Sequence, residues 1–425
     1  MTSYSVRTLT KPIDATIRPP GSKSYTNRAL LVAGLASGTS TLHGALFSDD
    51  TLHMARGLSS LGLDVKADEA SSTFTVTGGG GTIPAERASV FVGNSGTTAR
   101  FLAPMMALGR GVYDLDGDEA MHKRPIQPLL DAMAMLGAEA KSVRGNGCLP
   151  VRIEGGKFEG GSARMPGSVS SQFFSGLLMS GPCLRRGVVL DVDGDLVSKP
   201  YLEVTAQTMR AFGAAMTHID FQRFEVAPGS YVATRYEVEP DASAASYFFA
   251  AAAVTGGRVV VTGLGKNSLQ GDLAFVDLLE RMGCTVRKTE TQTEVVGPKQ
   301  LRGIEADMSS LSDTAQTLAA IAPFATSATR VTGIGFIRKK ETNRVAAVVT
   351  ELKKLGIRAE EESDGFVVHP GVPRSGSVAT YDDHRMAMSF SVLGLAAHGI
   401  DILNPACVSK TFPRYFVELE KLSGS

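Results

Sequence analysis

The sequence predicts an α/β protein built from six copies of one helix-and-strand unit, in two halves of three. Three observations predict it. Five helix-like segments, SSLGLDV, AMLGAEAK, RAFGAAM, ERMGCTV and KKLGIRA, each end in a large apolar residue, a glycine and a strand-like run. The glycines, Gly62, Gly137, Gly213, Gly283 and Gly356, are 75, 76, 70 and 73 residues apart, and Gly424 closes a sixth segment, RYFVELEKLSG, 68 residues later. Glycine just past a helix supplies a left-handed turn. A second series runs in step: segments starting at Ser24, Ser95, Ser170, Ala242, Asp313 and Asp383, at intervals of 71, 75, 72, 71 and 70 residues, open with hydroxyl, amide or acidic groups and then turn apolar all round. Such helices belong inside a core. Alternating runs such as TFTVTG, VVVTG and FVVHP supply strands.

Taken in order, PPGSKSYTNR (19–28) ends a strand with Pro-Pro-Gly and opens the first buried helix with hydroxyls around Lys23. TGGGGT (77–82) reads as a turn, since no Rossmann-type helix start follows it. NSGTTAR (94–100) opens the second buried helix, and Arg124 stands before Pro125 at a polar helix. SVSSQ (168–172) opens the third, and Lys199 precedes Pro200. DASAASYFF opens the fourth and SDTAQ the fifth, with KKETNR (339–344) ahead of the next polar helix. DDHRMAM opens the last, and Lys410 precedes Thr411.

At 425 residues the chain exceeds one ordinary core. The natural breaks are Pro19-Pro20-Gly21 and Glu239-Pro240-Asp241. If the chain crosses twice, residues 1–20 join 240–425 in one domain and 21–239 form the other, a clamp with a double-stranded hinge. Zero formal net charge gives no global field for nucleic acid or membrane. Cys148, Cys183, Cys284 and Cys407 form no C-x-x-C pair, which suits a reducing cytoplasm. MTSYSVRTLTKP lacks the apolar stretch of a secretory signal, and no run of 18 apolar residues is present. The scattered histidines suggest no metal site.

Capping explains the hydroxyls and acids at helix starts. It does not explain Lys23, Arg28, Arg100, Arg124, Lys199, Lys340, Arg344, Arg385 and Lys410, because a helix start is already partly positive. Cations gathered there point to bound phosphate or carboxylate groups. GSKS is not a phosphate loop, since G-x-x-x-x-G-K-[ST] is absent. Two acids stand out. Asp313 begins a buried helix, and Glu341 sits between Lys340 and Arg344, where a carboxylate keeps its charge. An N-cap for Asp313, a first-turn helix position for Glu341, and a capping or core place for His384 are the structural alternatives.

PGSKSYTNRALL, GNSGTTARFL, KRPIQPL, SVSSQF, GDLVSKPYLE, PDASAASYF, RKKETNR, DDHRMAM and KTFPRYF resemble, in this order from residue 19 to 417, the 5-enolpyruvylshikimate-3-phosphate (EPSP) synthases. The resemblance implies an inverted α/β barrel of two domains, each with three βαβαββ units and the active site in the cleft between them. It implies transfer of the enolpyruvyl group of phosphoenolpyruvate to the 5-hydroxyl of shikimate 3-phosphate with release of phosphate, a shikimate-pathway step towards the aromatic amino acids, with no cofactor. Carried over by residue, Lys23, Ser24, Arg28, Ser170, Ser171, Gln172, Ser198, Tyr201, Asp313 and Lys340 would bind shikimate 3-phosphate. Lys23, Asn94, Gly96, Arg124, Gln172, Arg344, Arg385 and Lys410 would bind phosphoenolpyruvate. Glu341 would deliver and remove the carbon-bound proton, Asp313 or Lys23 would take the hydroxyl proton, and His384 is a further catalytic candidate. A cytoplasmic monomer that opens when free and closes on its anionic substrates is expected.

The chain departs from the family pattern at Phe336 (Asn in some members), Asn343 (usually Asp) and Phe101 (often Pro), the last of which would shift the helix carrying Gly96. Gly96 is expected to leave room for the inhibitor glyphosate. One rival is the related UDP-N-acetylglucosamine enolpyruvyltransferase, whose loop cysteine is missing from GVYDLDGDEAMHKRP. The other is a non-catalytic repeat scaffold, for which Glu341 among cations has no purpose.

Overall fold

The structure, a computed structural model, describes residues 2–423. Gly424, the last of the periodic glycines, lies outside the described residues. The chain divides into two compact units, Gly21–Glu239, and Met1–Pro20 with Pro240–Ser425. Among the described residues no helix is long and apolar enough to cross a membrane.

The glycine period has a plain local cause. The polar helices Asp49–Ser60, Gln127–Met135, Pro200–Ala211, Phe275–Arg281 and Arg344–Lys354 each stop two residues before their glycine. All five glycines are left-handed, with φ from +78° to +108°. A side chain there would be strained.

Each unit has its own core. In Gly21–Glu239 it forms around the buried helices Lys23–Leu35, Gly96–Ala107 and Ser171–Ser180. In the other unit it forms around Ala242–Thr255, Ala315–Ile321 and His384–Ala396. Every residue from Ala242 to Ala253 is buried, as the apolar sequence requires. Two starts differ from the expected ones. Ser24 lies one residue inside its helix, which begins at Lys23 after Ser22. Gly21 makes this tight turn possible, because a Cβ there would stand 2.0 Å from the Gly44 carbonyl oxygen. Asp313 occupies a 3-10 turn, Ser312–Thr314, ahead of the regular helix.

Among the described residues, five sheets of four strands share one pattern, and the sixth has three. In the second repeat, Arg87–Phe91 runs parallel to Val112–Asp116 across a buried helix, and Val151–Glu154 and Glu139–Ser142 continue antiparallel. This is a βαβαββ order. Leading strands are exchanged where the chain crosses: Asp14–Ile17 lies parallel to Arg258–Thr262, and Arg235–Glu237 lies parallel to Ser37–His43. The sixth repeat departs from the pattern. Its strands Gly376–Val378 and Ile400–Leu403 are completed by a single antiparallel strand, Ser3–Ser5.

Candidate active site

In the unit Gly21–Glu239, cations meet the starts of the buried helices. Lys23 is the first residue of its helix, and its ammonium is 3.3 Å from the buried Asp50. Arg28, one turn on, is enclosed. It donates from Nε to Thr205 Oγ1 at 2.8 Å, from Nη1 to the Ser24 carbonyl at 3.0 Å, and from Nη2 to Ser175 Oγ at 3.2 Å and the Tyr201 carbonyl at 3.1 Å. All four acceptors are neutral. Burial pulls the guanidinium down to about 10, against the opposing effect of Tyr201 and Tyr25. A buried cation served by dipoles alone favours an added anion.

The second and third helix starts are built alike. Ser95 and Ser170 accept from the N–H groups of Thr98 and Gln172. Arg124 lies directly over Gly96, where a Cβ would stand 2.7 Å from its Nη2. The missing side chain at Gly96 is what admits this guanidinium. Arg124 donates from Nη1 to Asn94 Oδ1 at 3.1 Å and to the Asn94 carbonyl at 3.3 Å. Gln172 is oriented at both ends: its Oε1 accepts from Arg100 Nη1 at 2.6 Å, and its Nε2 donates to Thr97 Oγ1 at 3.0 Å. Ser171 is buried behind it. Ser198 takes a left-handed conformation with φ +56° and accepts through its carbonyl from the Tyr201 N–H. Strain of this kind gathers at functional sites.

The other unit assembles an ion cluster. Asp313 accepts from Lys340 Nζ at 2.5 Å and Arg344 Nη1 at 3.1 Å on one oxygen, and from Arg385 Nη2 at 2.7 Å on the other. Burial raises this carboxyl, but Arg385, Lys340 and Arg344 together hold it well below the usual carboxylate range. Burial, together with the neighbouring Arg344, lowers the Lys340 ammonium against the opposing pull of Asp313. Arg344 is fully enclosed and spans three acids: Asp383 through Nε at 2.8 Å, Glu341 through Nη2 at 2.8 Å, and Asp313. Burial lowers this guanidinium, and Asp383, Glu341 and Asp313 more than reverse it. Lys410 Nζ stands 4.0 Å from Glu341. Lys340, Arg344, Arg385 and Lys410 are thus gathered with the carboxyl groups of Asp313, Glu341 and Asp383.

Glu341 precedes the helix Arg344–Lys354, so it is not a first-turn residue. Asp313 is held by side-chain cations and caps no helix. The His384 ring is 1% exposed, with Nδ1 3.7 Å from Asp383. It packs in the core, behind the arginine that follows it.

The contacts of Asp50 with Lys23, and of Thr97 and Arg100 with Gln172, carry no local sequence signal. Asp383 was visible as a helix start, and it does accept from the Arg385 N–H at 2.9 Å. Its hold on Arg344, 39 residues away, had no local signal. The three departures also find places. Phe336 lies under Lys340, 5.5 Å from ring centroid to ammonium. Asn343 caps its helix through the Ala346 N–H. Phe101 is buried 5.2 Å from the Arg28 guanidinium, and its helix runs unbroken from Gly96.

A sequence profile of the EPSP synthase (3-phosphoshikimate 1-carboxyvinyltransferase) family matches residues 8–419. The chain belongs to the EPSP synthase family. Among EPSP synthase relatives, the 3-phosphoshikimate 1-carboxyvinyltransferase of Trichormus variabilis is 46% identical over the full length of both chains. That of Shewanella amazonensis is 42% identical over 97% of each. The EPSP synthase structure from Acinetobacter baumannii overlays with a TM-score of 0.84 at 26% identity, over 99% of this chain and 98% of that one. An enolpyruvyl transferase of Streptomyces tendae shares the fold, with a TM-score of 0.76 at 19% identity over 99% of this chain and 97% of that one.

Proposed function

We propose that the chain transfers the enolpyruvyl group of phosphoenolpyruvate to the 5-hydroxyl of shikimate 3-phosphate and releases phosphate. The observation that carries this reading is the cluster around Asp313. Asp313 and Glu341 share Arg344, and Lys340, Arg385 and Lys410 gather beside them, a set of cations suited to an anionic donor.

Lys23, Ser24, Arg28, Ser170, Ser171, Gln172, Ser198 and Tyr201, with Asp313 and Lys340, are assigned to shikimate 3-phosphate. Lys23, Asn94, Gly96, Arg124, Gln172, Arg344, Arg385 and Lys410 are assigned to phosphoenolpyruvate. Asn94 acts by orienting Arg124. In the addition step, Glu341 enters as the protonated acid and gives its proton to the donor's methylene carbon, while the 5-hydroxyl attacks C2 and passes its own proton to Asp313 or Lys23; the elimination step returns Glu341 to its protonated form. In the elimination step, Glu341 removes a proton from the new methyl group, the C2–O bond to phosphate breaks, and the double bond re-forms. Each step transfers charge between groups already held by fixed cations, which lowers the barrier without reorganisation.

Asp313 is a poor base while three cations hold it. When the donor's carboxylate and phosphate draw Arg344 and Arg385, Asp313 loses two of its partners and its affinity for the hydroxyl proton rises. Lys23 remains its competitor for that proton. His384 takes no proton in this scheme, because its ring is buried against its own helix start. The four cysteines are free thiols, which suits the cytoplasm, and a monomer is the working state.

The test measures phosphate release from phosphoenolpyruvate with shikimate 3-phosphate or UDP-N-acetylglucosamine as acceptor, beside Glu341→Gln. Release with shikimate 3-phosphate alone, lost in the variant, supports the scheme. Release that survives Glu341→Gln removes Glu341 from it. Glyphosate competing with phosphoenolpyruvate would support the donor assignments.

A further inference from the structure

Arg385 and Lys410 are delivered by two turns whose backbones are unusual. Tyr381 and Asp382 both have φ +55°, and both are left-handed without being glycine. They stand directly before Asp383, which grips Arg344 and starts the helix of Arg385. Asn404, with φ +50°, starts the 3-10 segment Pro405–Lys410. Consecutive left-handed residues with side chains persist only where the surroundings over-determine them.

The surroundings are specific. Glu351 sits on the helix Arg344–Lys354, seven residues after Arg344 and so on nearly the same face. Its side chain is wholly buried. One oxygen accepts from the Ala379 N–H at 3.0 Å, and the other from the Tyr381 hydroxyl at 2.5 Å and from Lys354 Nζ at 2.7 Å. Burial and the Glu351 carboxylate push the Tyr381 hydroxyl up to about 12, so it stays a donor. One helix therefore clamps the turn 379–383 at both ends, with Glu351 at the start and Arg344 at Asp383. A further tie runs from Asn404 Nδ2 to Asp382 Oδ1 at 3.2 Å, joining this turn to the segment of Lys410.

We propose that Glu351, acting through Tyr381, is a positioning residue that sets Arg385 for the phosphoenolpyruvate anion. The inference rests on the assignment of Arg385 to the donor. Glu351 touches no substrate in this reading. It fixes a strained turn whose last residue, Asp383, sets both Arg344 and Arg385. Displacing a catalytic cation by 1 Å costs up to about 10²-fold, so losing one of these hydrogen bonds should cost less.

Tyr381 is 41% exposed, so Tyr381→Phe leaves the core intact. Expected for Tyr381→Phe is a rise in the phosphoenolpyruvate KM of roughly five- to thirtyfold, with a smaller change in the shikimate 3-phosphate KM. Glu351→Gln can still accept from Ala379 and bond Tyr381, so it should restore most of what Glu351→Ala loses. Steady-state kinetics are read beside melting temperature. A fall in melting temperature with an unchanged phosphoenolpyruvate KM in Tyr381→Phe and Glu351→Ala would make Glu351 merely structural. Equal rises in both KM values would overturn the link to Arg385. Arg385→Ala separates the two readings. If it raises the phosphoenolpyruvate KM and Tyr381→Phe does not, this inference alone fails. If it leaves that KM unchanged, the donor assignment fails, and the inference with it.

Discussion

Asp383→Asn is the substitution from which the ion cluster can be weighed. The Asp383 carboxylate has no solvent exposure, and Arg344 is 1% exposed. Breaking one side of such a buried pair costs about 3–5 kcal/mol, because the remaining charge stays buried. Arg344 keeps Glu341 and Asp313 as partners, so the lower end, about 3 kcal/mol, applies. Asparagine can still accept from the Arg385 N–H, which preserves a cap worth about 1 kcal/mol. For a unit of about 200 residues, each kcal/mol moves the melting temperature by about 2–4 °C, so the expected fall is roughly 6–12 °C. Asp383→Ala should fall a few degrees further, since it loses the cap as well. Scanning calorimetry reads both variants. In the assay, Asp383→Asn should lose about 10²–10³ in kcat/KM through the misplaced Arg344. A melting shift under about 2 °C would refute the reasoning, because it would mean that the charge of Asp383 does not hold Arg344 in the folded protein.

Acid should act through Asp313. Its folded carboxyl lies well below an unfolded aspartate's value of about 3.9, so its stabilisation is complete above roughly pH 5 and is lost as pH falls towards the folded value. Urea titrations between pH 2.5 and 6 should show Asp313→Asn losing less stability across that range than the parent chain, and equal slopes would contradict it. Gly96→Ala must push Arg124 Nη2 outward from a 2.7 Å contact. The phosphoenolpyruvate KM should rise about tenfold with the shikimate 3-phosphate KM steady, and an unchanged donor KM would remove Arg124 from the donor site. Arg28→Met removes a buried cation whose acceptors are neutral oxygens. It should raise the shikimate 3-phosphate KM at least tenfold, with little loss of melting temperature, whereas the reverse pattern would make Arg28 structural.

The repeat was legible because each polar helix needs a left-handed exit, and only glycine at Gly62, Gly137, Gly213, Gly283 and Gly356 supplies it freely. Buried helices were legible because burial on all sides leaves no polar face, as in Ala242–Ala253. The anion-binding cations were legible from their place at helix starts. What brings them together was not. Arg344 meets Asp383 and Asp313 from 39 and 31 residues away, and such pairing follows from packing rather than from local pattern. Tyr381 and Asp382 were silent for the same reason, since no glycine marks their left-handed turn. The short sixth sheet escaped notice because its closing strand comes from the other end of the chain.

That closing strand bears on how the chain is made. Gly21–Glu239 is continuous, and a ribosome releases all of it before most of the second unit exists. Domains fold as units during synthesis, amino-terminal parts first. The insert can therefore be native while Ser3–Ser5 still waits for Asp401–Leu403, and Asp14–Ile17 for Arg258–Val261. The two strands thus find their partners at different times, Asp14–Ile17 midway through the chain and Ser3–Ser5 only near residue 401. A ribosome stalled late in the second unit, short of residue 401, would present a finished insert beside a strand, Ser3–Ser5, that still lacks its partner.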